Sequence, residues 1–105
     1  MARSRSVAER VRSLKAEIRI WVNKNDLAED TFWKDPPAGS EDGENLVLVF
    51  EGDLSTVLWE RPFDDHDAAY SRRLCQEFYA IVKKHGFYFE FQNEGAANFY
   101  LLENL

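Results

Sequence analysis

The sequence predicts a single α+β domain over residues 1–105, in which a four-stranded antiparallel sheet carries two helices on one face. Two segments with helical periodicity each precede a pair of short apolar segments, which gives the element order α-β-β-α-β-β. The chain has 105 residues, 45% of them hydrophobic and 14% aromatic. This length and composition suit one domain with one hydrophobic core.

Residues 6–24 are predicted to form an amphipathic helix. Its apolar residues fall on one face at helical spacing: Val7, Val11, Leu14, Ile18, Trp21 and Val22. Ser6 followed by Glu9 is a capping-box pattern, and residues 1–5 before it are expected to fray. One flank of the helix is basic, formed by Arg5, Arg12, Lys15 and Arg19. We expect this flank to be solvated, with an acidic partner as the alternative.

Residues 25–45 change in character. A helix end or short turn is expected at 26–33, and a flexible acidic loop at 34–44, where Pro36-Pro37 and Gly39 interrupt regular structure. Phe32-Trp33 breaks the polarity of this segment. The two aromatic residues are expected to pin the loop to the core.

Two strands are predicted next, at 45–51 and 55–60, joined as a hairpin through residues 52–54. Both faces of this hairpin are apolar. It is therefore expected to lie centrally in the sheet or to be covered on both sides.

A second helix is predicted at 66–85. Asp64, Asp65 and Asp67 lie where they complement the positive end of its dipole. Gly86 follows as a helix-ending residue.

The last two strands are predicted at 87–92 and 97–102, the second being a candidate edge strand. The alternation of Phe87, Phe89 and Phe91 with polar residues indicates a half-buried strand. If the helices cover the Phe face, Tyr88, Tyr100 and Leu102 remain on the second face, where they are candidates for a dimer contact.

Charge is sorted along the chain. Residues 1–24 sum to +5, residues 25–67 sum to −11, and residues 68–105 balance, for a total of −6. An acidic protein of this kind is a poor candidate for binding nucleic acid, because phosphate contacts require a basic surface.

The single cysteine, Cys75, excludes an internal disulfide. No signal-peptide pattern and no apolar run near the ~20 residues of a membrane span occurs. A soluble cytoplasmic protein without a membrane partner is expected.

Motifs for catalysis are absent from the sequence: it contains neither a phosphate-binding glycine loop nor a nucleophile elbow. Asp64-Asp65-His66-Asp67 is expected to cap a helix rather than bind a metal. We therefore predict that the protein is not an enzyme and has no metal or cofactor. The alternative is a small-ligand or enzyme site near the second helix, formed by His85, Tyr70 and Cys75.

The leading functional hypothesis is a small acidic protein–protein interaction module, of inhibitor or immunity type, that engages a basic partner. Aromatic side chains surrounded by charge are typical of interface anchors. The predicted contact residues are Glu29, Asp30, Phe32, Trp33, Asp35, Glu41, Asp42 and Glu44. The alternative is a dimeric escort or adaptor that uses the second face of the sheet.

Overall fold

Four antiparallel strands form one sheet, and the helices pack against it, in a computed structural model that describes residues 6–36, 38–40, 45–62 and 66–104. The elements are α1 (Val7–Lys24), β1 (Thr31–Trp33), β2 (Leu46–Phe50), α2 (Asp53–Leu58), α3 (Ala68–Lys84), β3 (Phe87–Asn93), β4 (Ala96–Leu101) and a 3-10 turn (Leu102–Asn104). The strand order is β1-β2-β4-β3. The predicted single α+β domain with a four-stranded antiparallel sheet is confirmed. The predicted fraying of residues 1–5 lies outside the described residues.

The two long helices begin and end within two residues of the predicted bounds, 6–24 and 66–85. The Ser6 hydroxyl accepts a hydrogen bond from the Glu9 amide at 3.1 Å, and the Asp67 carboxylate accepts one from the Tyr70 amide at 3.2 Å. Gly86 has a φ of +86°, a left-handed conformation that ends α3 and that glycine adopts without strain. Asp64 and Asp65 lie outside the described residues.

The strand predicted at 55–60 is wrong, because residues 53–58 form the short helix α2. Leu54, Val57 and Leu58 follow helical spacing, and all three side chains are buried. Residues 52–54 therefore lead into a helix and do not form a hairpin turn. The described part of the chain contains three α-helices where two were predicted.

The turn predicted at 26–33 is also wrong in part, because residues 31–33 form β1. This strand runs antiparallel to β2, with Thr31 opposite Phe50 and Trp33 opposite Leu48. Leu27 is fully buried just after α1, and its carbonyl oxygen accepts a hydrogen bond from the Thr31 hydroxyl at 3.0 Å. The buried Leu27 thus anchors the turn that carries the chain from α1 to the edge of the sheet.

The strand predicted at 97–102 is a central strand, since β4 lies between β2 and β3. The two edges of the sheet are β1 and β3. Prediction of β4 as an edge is therefore wrong, and Leu102 lies in the 3-10 turn that follows the strand.

The core lies between the helices and one face of the sheet. Phe78 of α3 is fully buried, and its ring contacts Trp21 of α1 together with Phe89 and Phe99 of the sheet, at centroid distances of 5.7, 5.3 and 6.4 Å. Val47 and Val49 on the opposite face are only half-buried, whereas their neighbours Leu46, Leu48 and Phe50 are buried. The described helices therefore lie on one face of the sheet, as predicted.

Candidate binding site between helix α1 and strand β1

A groove of about 630 Å³ lies between α1 and β1, and we call it the α1–β1 groove. Its apolar surface comes from Ile18, Val22, Ala28, Trp33 and Leu48. It is larger than the cavity of about 270 Å³ beside α3 and β3. An apolar concave surface with a few polar groups at its border is the usual form of a binding site.

The Trp33 indole forms the β1 side of this groove. It is half-buried and packs on Phe99, with ring centroids 5.0 Å apart. The Lys15 ammonium lies over the same indole, 5.5 Å from the ring centroid. This cation–π contact links the basic flank of α1 to the edge strand of the sheet.

Phe32 borders the groove but is 56% exposed. Successive residues of a strand point to opposite faces, so Trp33 faces α1 and Phe32 faces away from it. Phe32 is thus a large apolar side chain at the sheet edge that the described residues leave largely in water.

Three cations border the groove on the α1 side: Arg12, Lys15 and Arg19. Within the described ranges, no carboxylate lies within ion-pair distance of any of them. Positive charge that is not neutralised inside the protein favours an anionic ligand. Arg5, the fourth residue of the predicted basic flank, lies outside the described residues.

The predicted contact residues distribute around β1. Glu29 and Asp30 are exposed in the turn before β1, and Asp35 is exposed just after it. Glu41, Asp42 and Glu44 lie outside the described residues. The structure brings Trp33 next to the basic flank of α1, where Lys15 lies over its ring, a juxtaposition that neither sequence motif predicts by itself.

Acidic residues from segments 26–30 and 51–53 meet beside the turn that precedes β1. The two segments are joined there by a hydrogen bond from the Glu51 amide to the Asp30 carbonyl oxygen, at 3.0 Å. We call this surface the acidic corner; its members are Asp26, Glu29, Asp30, Glu51 and Asp53. None of these carboxylates forms an ion pair in the described part of the chain. The described part of the chain contains no group of three or more side chains that could hold a metal ion.

The second-face candidates divide into a pair and a single residue. Tyr88 and Tyr100 lie opposite each other on β3 and β4, with ring centroids 5.3 Å apart, and Tyr100 is 37% exposed. Leu102 borders the cavity beside α3 and β3, and Tyr88 borders the same cavity. Tyr88 is therefore shared between the pair with Tyr100 and this cavity.

The residues of the alternative site near the second helix have separate contacts. His85 Nε2 lies 2.7 Å from Glu17 Oε1, and the Tyr70 ring stacks on His66 at 3.8 Å. Cys75 is buried, and desolvation, followed by the charge of Glu60, raises the pKa of its thiol to about 11. Cys75 lies in the middle of α3 and His85 caps its C-terminal end, so that the two residues are about 15 Å apart along the helix axis.

Comparison of the chain with protein-family models, with curated proteins and with solved structures found no match. None of the helices in the described ranges combines the length and hydrophobicity needed to cross a lipid bilayer.

Proposed function

We propose that the protein is a protein–protein interaction module that binds a partner through the α1–β1 groove. The observation that carries this proposal is the character of the β1 edge. On the α1 side lies an apolar groove with three cations that have no carboxylate partner in the described residues, and on the other side the Phe32 ring is exposed. Interfaces are enriched in aromatic residues and arginine in this way. The sequence likewise predicts a protein–protein interaction module. It predicts an acidic contact surface, however, whereas the α1–β1 groove is bordered by cations.

Phe32 supports the proposal on energetic grounds. Complete burial of a Phe side chain contributes about 1.5–3 kcal/mol. Because 56% of Phe32 remains exposed, a partner that covers the ring gains a large part of this free energy. Such a residue is a candidate hot spot.

The test compares two exposed apolar residues. Affinity capture from native lysate is carried out with wild-type protein, Phe32→Ala and Ile20→Ala to identify the partners that depend on the groove. Ile20→Ala is the control, because Ile20 is 64% exposed but does not border the groove. We expect at least one partner to be lost with Phe32→Ala and retained with Ile20→Ala. Its Kd, measured with purified protein, should rise at least about tenfold for Phe32→Ala only. Identical capture by all three proteins would contradict the proposal.

The acidic corner favours a second candidate function, the engagement of a basic partner by an inhibitor or immunity-type protein. Its uncompensated carboxylates would accelerate association with a basic surface and make binding sensitive to salt. Glu29→Lys together with Asp53→Lys should abolish such capture at low salt, whereas Glu90→Lys, an exposed residue on β3, should not. Unchanged capture by the double variant would exclude this candidate.

The dimeric escort or adaptor remains a separate hypothesis. Tyr88 and Tyr100 support it, because they form an aromatic pair on the sheet face that the described helices leave open. Light scattering should show a dimer that Tyr100→Glu converts to a monomer, and a wild-type monomer at high concentration would exclude this hypothesis.

The proposal of an interaction module also includes a cytoplasmic location and the absence of catalysis.

A further inference from the structure

We infer that the partner of the α1–β1 groove is an acidic segment in extended conformation, which adds as a fifth strand to the free edge of β1. This inference rests on the proposed function, because it specifies the partner and its conformation at the same groove. Three observations carry it: the backbone groups of β1, the side chains on either side of them, and the charge of the groove.

The hydrogen bonds between β1 and β2 define which backbone groups face the free edge. The Glu51 amide donates to the Asp30 carbonyl oxygen at 3.0 Å, and the Lys34 amide donates to the Val47 carbonyl oxygen at 2.8 Å. Alternate residues of an antiparallel strand face the same neighbour. Residues 30, 32 and 34 therefore face β2, and Thr31 and Trp33 present their backbone groups to the other side.

Three of these four edge groups have no hydrogen-bond partner in the part of the chain that the structure describes. The Thr31 amide donates to the Ala28 carbonyl oxygen at 3.1 Å. The Thr31 carbonyl and both backbone groups of Trp33 form no hydrogen bond within the described residues. A short row of unpaired donors and acceptors at a sheet edge is a template for strand addition.

The side chains beside this edge specify the chemistry of the added strand. Its residues would alternate between the α1 side, where Arg12, Lys15 and Arg19 lie, and the opposite side, where Phe32 is exposed. Carboxylates on the first side and apolar side chains on the second match both surfaces. The three cations have no carboxylate partner among the described residues, and they thus select an acidic segment over a basic one.

The test uses a synthetic probe, the acetylated and amidated heptapeptide Glu-Val-Glu-Val-Glu-Val-Glu, with a Lys-Val heptapeptide of the same alternation as the control. NMR titration of labelled protein should give a Kd on the order of 1 mM or tighter for the acidic peptide. Hydrogen exchange of the Trp33 amide should slow with peptide. Arg12→Glu with Arg19→Glu should weaken binding at least about tenfold, which is about 1.4 kcal/mol. Equal binding of the two peptides, or an unprotected Trp33 amide, would overturn the inference.

Backbone methylation of the peptide separates strand addition from other modes of binding. Only alternate residues of an added strand direct their backbone amides toward β1. One peptide is therefore N-methylated at all Glu residues and another at all Val residues, and only one of the two modifications should weaken binding. Equal effects of the two modifications, or binding of the peptide as a helix, would overturn the inference.

If capture depends on Phe32 but the captured partner leaves the Trp33 amide unprotected, strand addition fails and the proposed function stands. If capture does not depend on Phe32, the proposed function fails.

Discussion

The Nε2 atom of His85 lies 2.7 Å from Oε1 of Glu17, so that the residue ending α3 is tied to the middle of α1. Lys84 reaches the same carboxylate oxygen, with its Nζ atom 2.9 Å away. These three side chains hold together the two long helices, one of which forms a wall of the α1–β1 groove.

This contact predicts a pH-dependent contribution to stability. Hydrogen bonds from Lys84 and His85 lower the pKa of Glu17 below its ordinary value of 4.5. A group whose pKa is lower in the folded state stabilises the protein above that ordinary value and loses its contribution as the pH falls through the folded value. Glu17→Gln should therefore lower the free energy of unfolding near pH 7 by about 0.5–1 kcal/mol, because the contact is partly exposed and screened.

Urea denaturation of wild type and Glu17→Gln from pH 7 down to pH 3 checks this expectation. The difference between the two proteins should shrink as the pH falls below 4.5, the ordinary pKa of the group. Glu90→Gln is a suitable control, since Glu90 is exposed. A difference that stays constant over the whole series would contradict the prediction.

Two phenylalanines are predicted to differ strongly in their contribution to stability. Phe78 is fully buried among aromatic rings, whereas Phe32 is 56% exposed. Phe78→Ala removes buried surface and leaves a cavity, which should cost about 3–5 kcal/mol of unfolding free energy. Phe32→Ala should change it by less than about 0.5 kcal/mol. Chemical denaturation measures both values, and a large loss for Phe32→Ala would mean that its ring is held by the fold and is not available to a partner.

Gly52 is predicted to be intolerant of a side chain for reasons of space. A Cβ atom at this position would overlap the carbonyl oxygen of Glu29, in the turn that leads to β1. Gly52→Ala should therefore lower the free energy of unfolding by about 1–3 kcal/mol. Gly39 offers a matched control, because it has a φ of +84° but open space around it, so that alanine there costs only about 1–2 kcal/mol of backbone strain. A loss below about 1 kcal/mol for Gly52→Ala in thermal denaturation would contradict the expected crowding.

The Cys75 thiol is predicted to be unreactive in the folded protein. Burial raises its pKa to about 11 from an ordinary value of 9.0, which reduces the thiolate fraction near pH 8 about 100-fold. Labelling with a chromogenic disulfide should therefore be at least about 100-fold slower in buffer than in concentrated urea. Similar rates in the two solvents would show that the thiol is accessible in the native state.

The long elements could be predicted from sequence because their periodicity and end residues agree. In α1 and α3, apolar residues at helical spacing combine with Ser6 and Asp67, each of which accepts the expected capping hydrogen bond. The Phe alternation of β3 likewise fixes which side chains enter the core. Periodicity over many residues was therefore sufficient in these segments.

The short elements could not be predicted for two reasons. Each has only a few residues, and the pattern of those residues fits more than one kind of element. In α2, Leu54, Val57 and Leu58 follow helical spacing, but the continuous apolar run Val57-Leu58-Trp59 is equally typical of a short buried strand. β1 has only three residues and no period of its own. The α1–β1 groove was missed for a different reason, since residues distant in sequence meet there only after the chain turns at the buried Leu27.

The position of β4 also determines when the sheet can be completed. β4 is the last of the four strands in sequence but lies between β2 and β3, where Leu46 of β2 and Phe89 of β3 are both opposite Phe99. Until β4 is in place, the pair β1–β2 and the strand β3 have no shared strand to join them. During synthesis from the N-terminus, α1 and β1 are therefore made well before the sheet that supports their groove is complete, and the groove takes its final shape only at the end of translation of this domain.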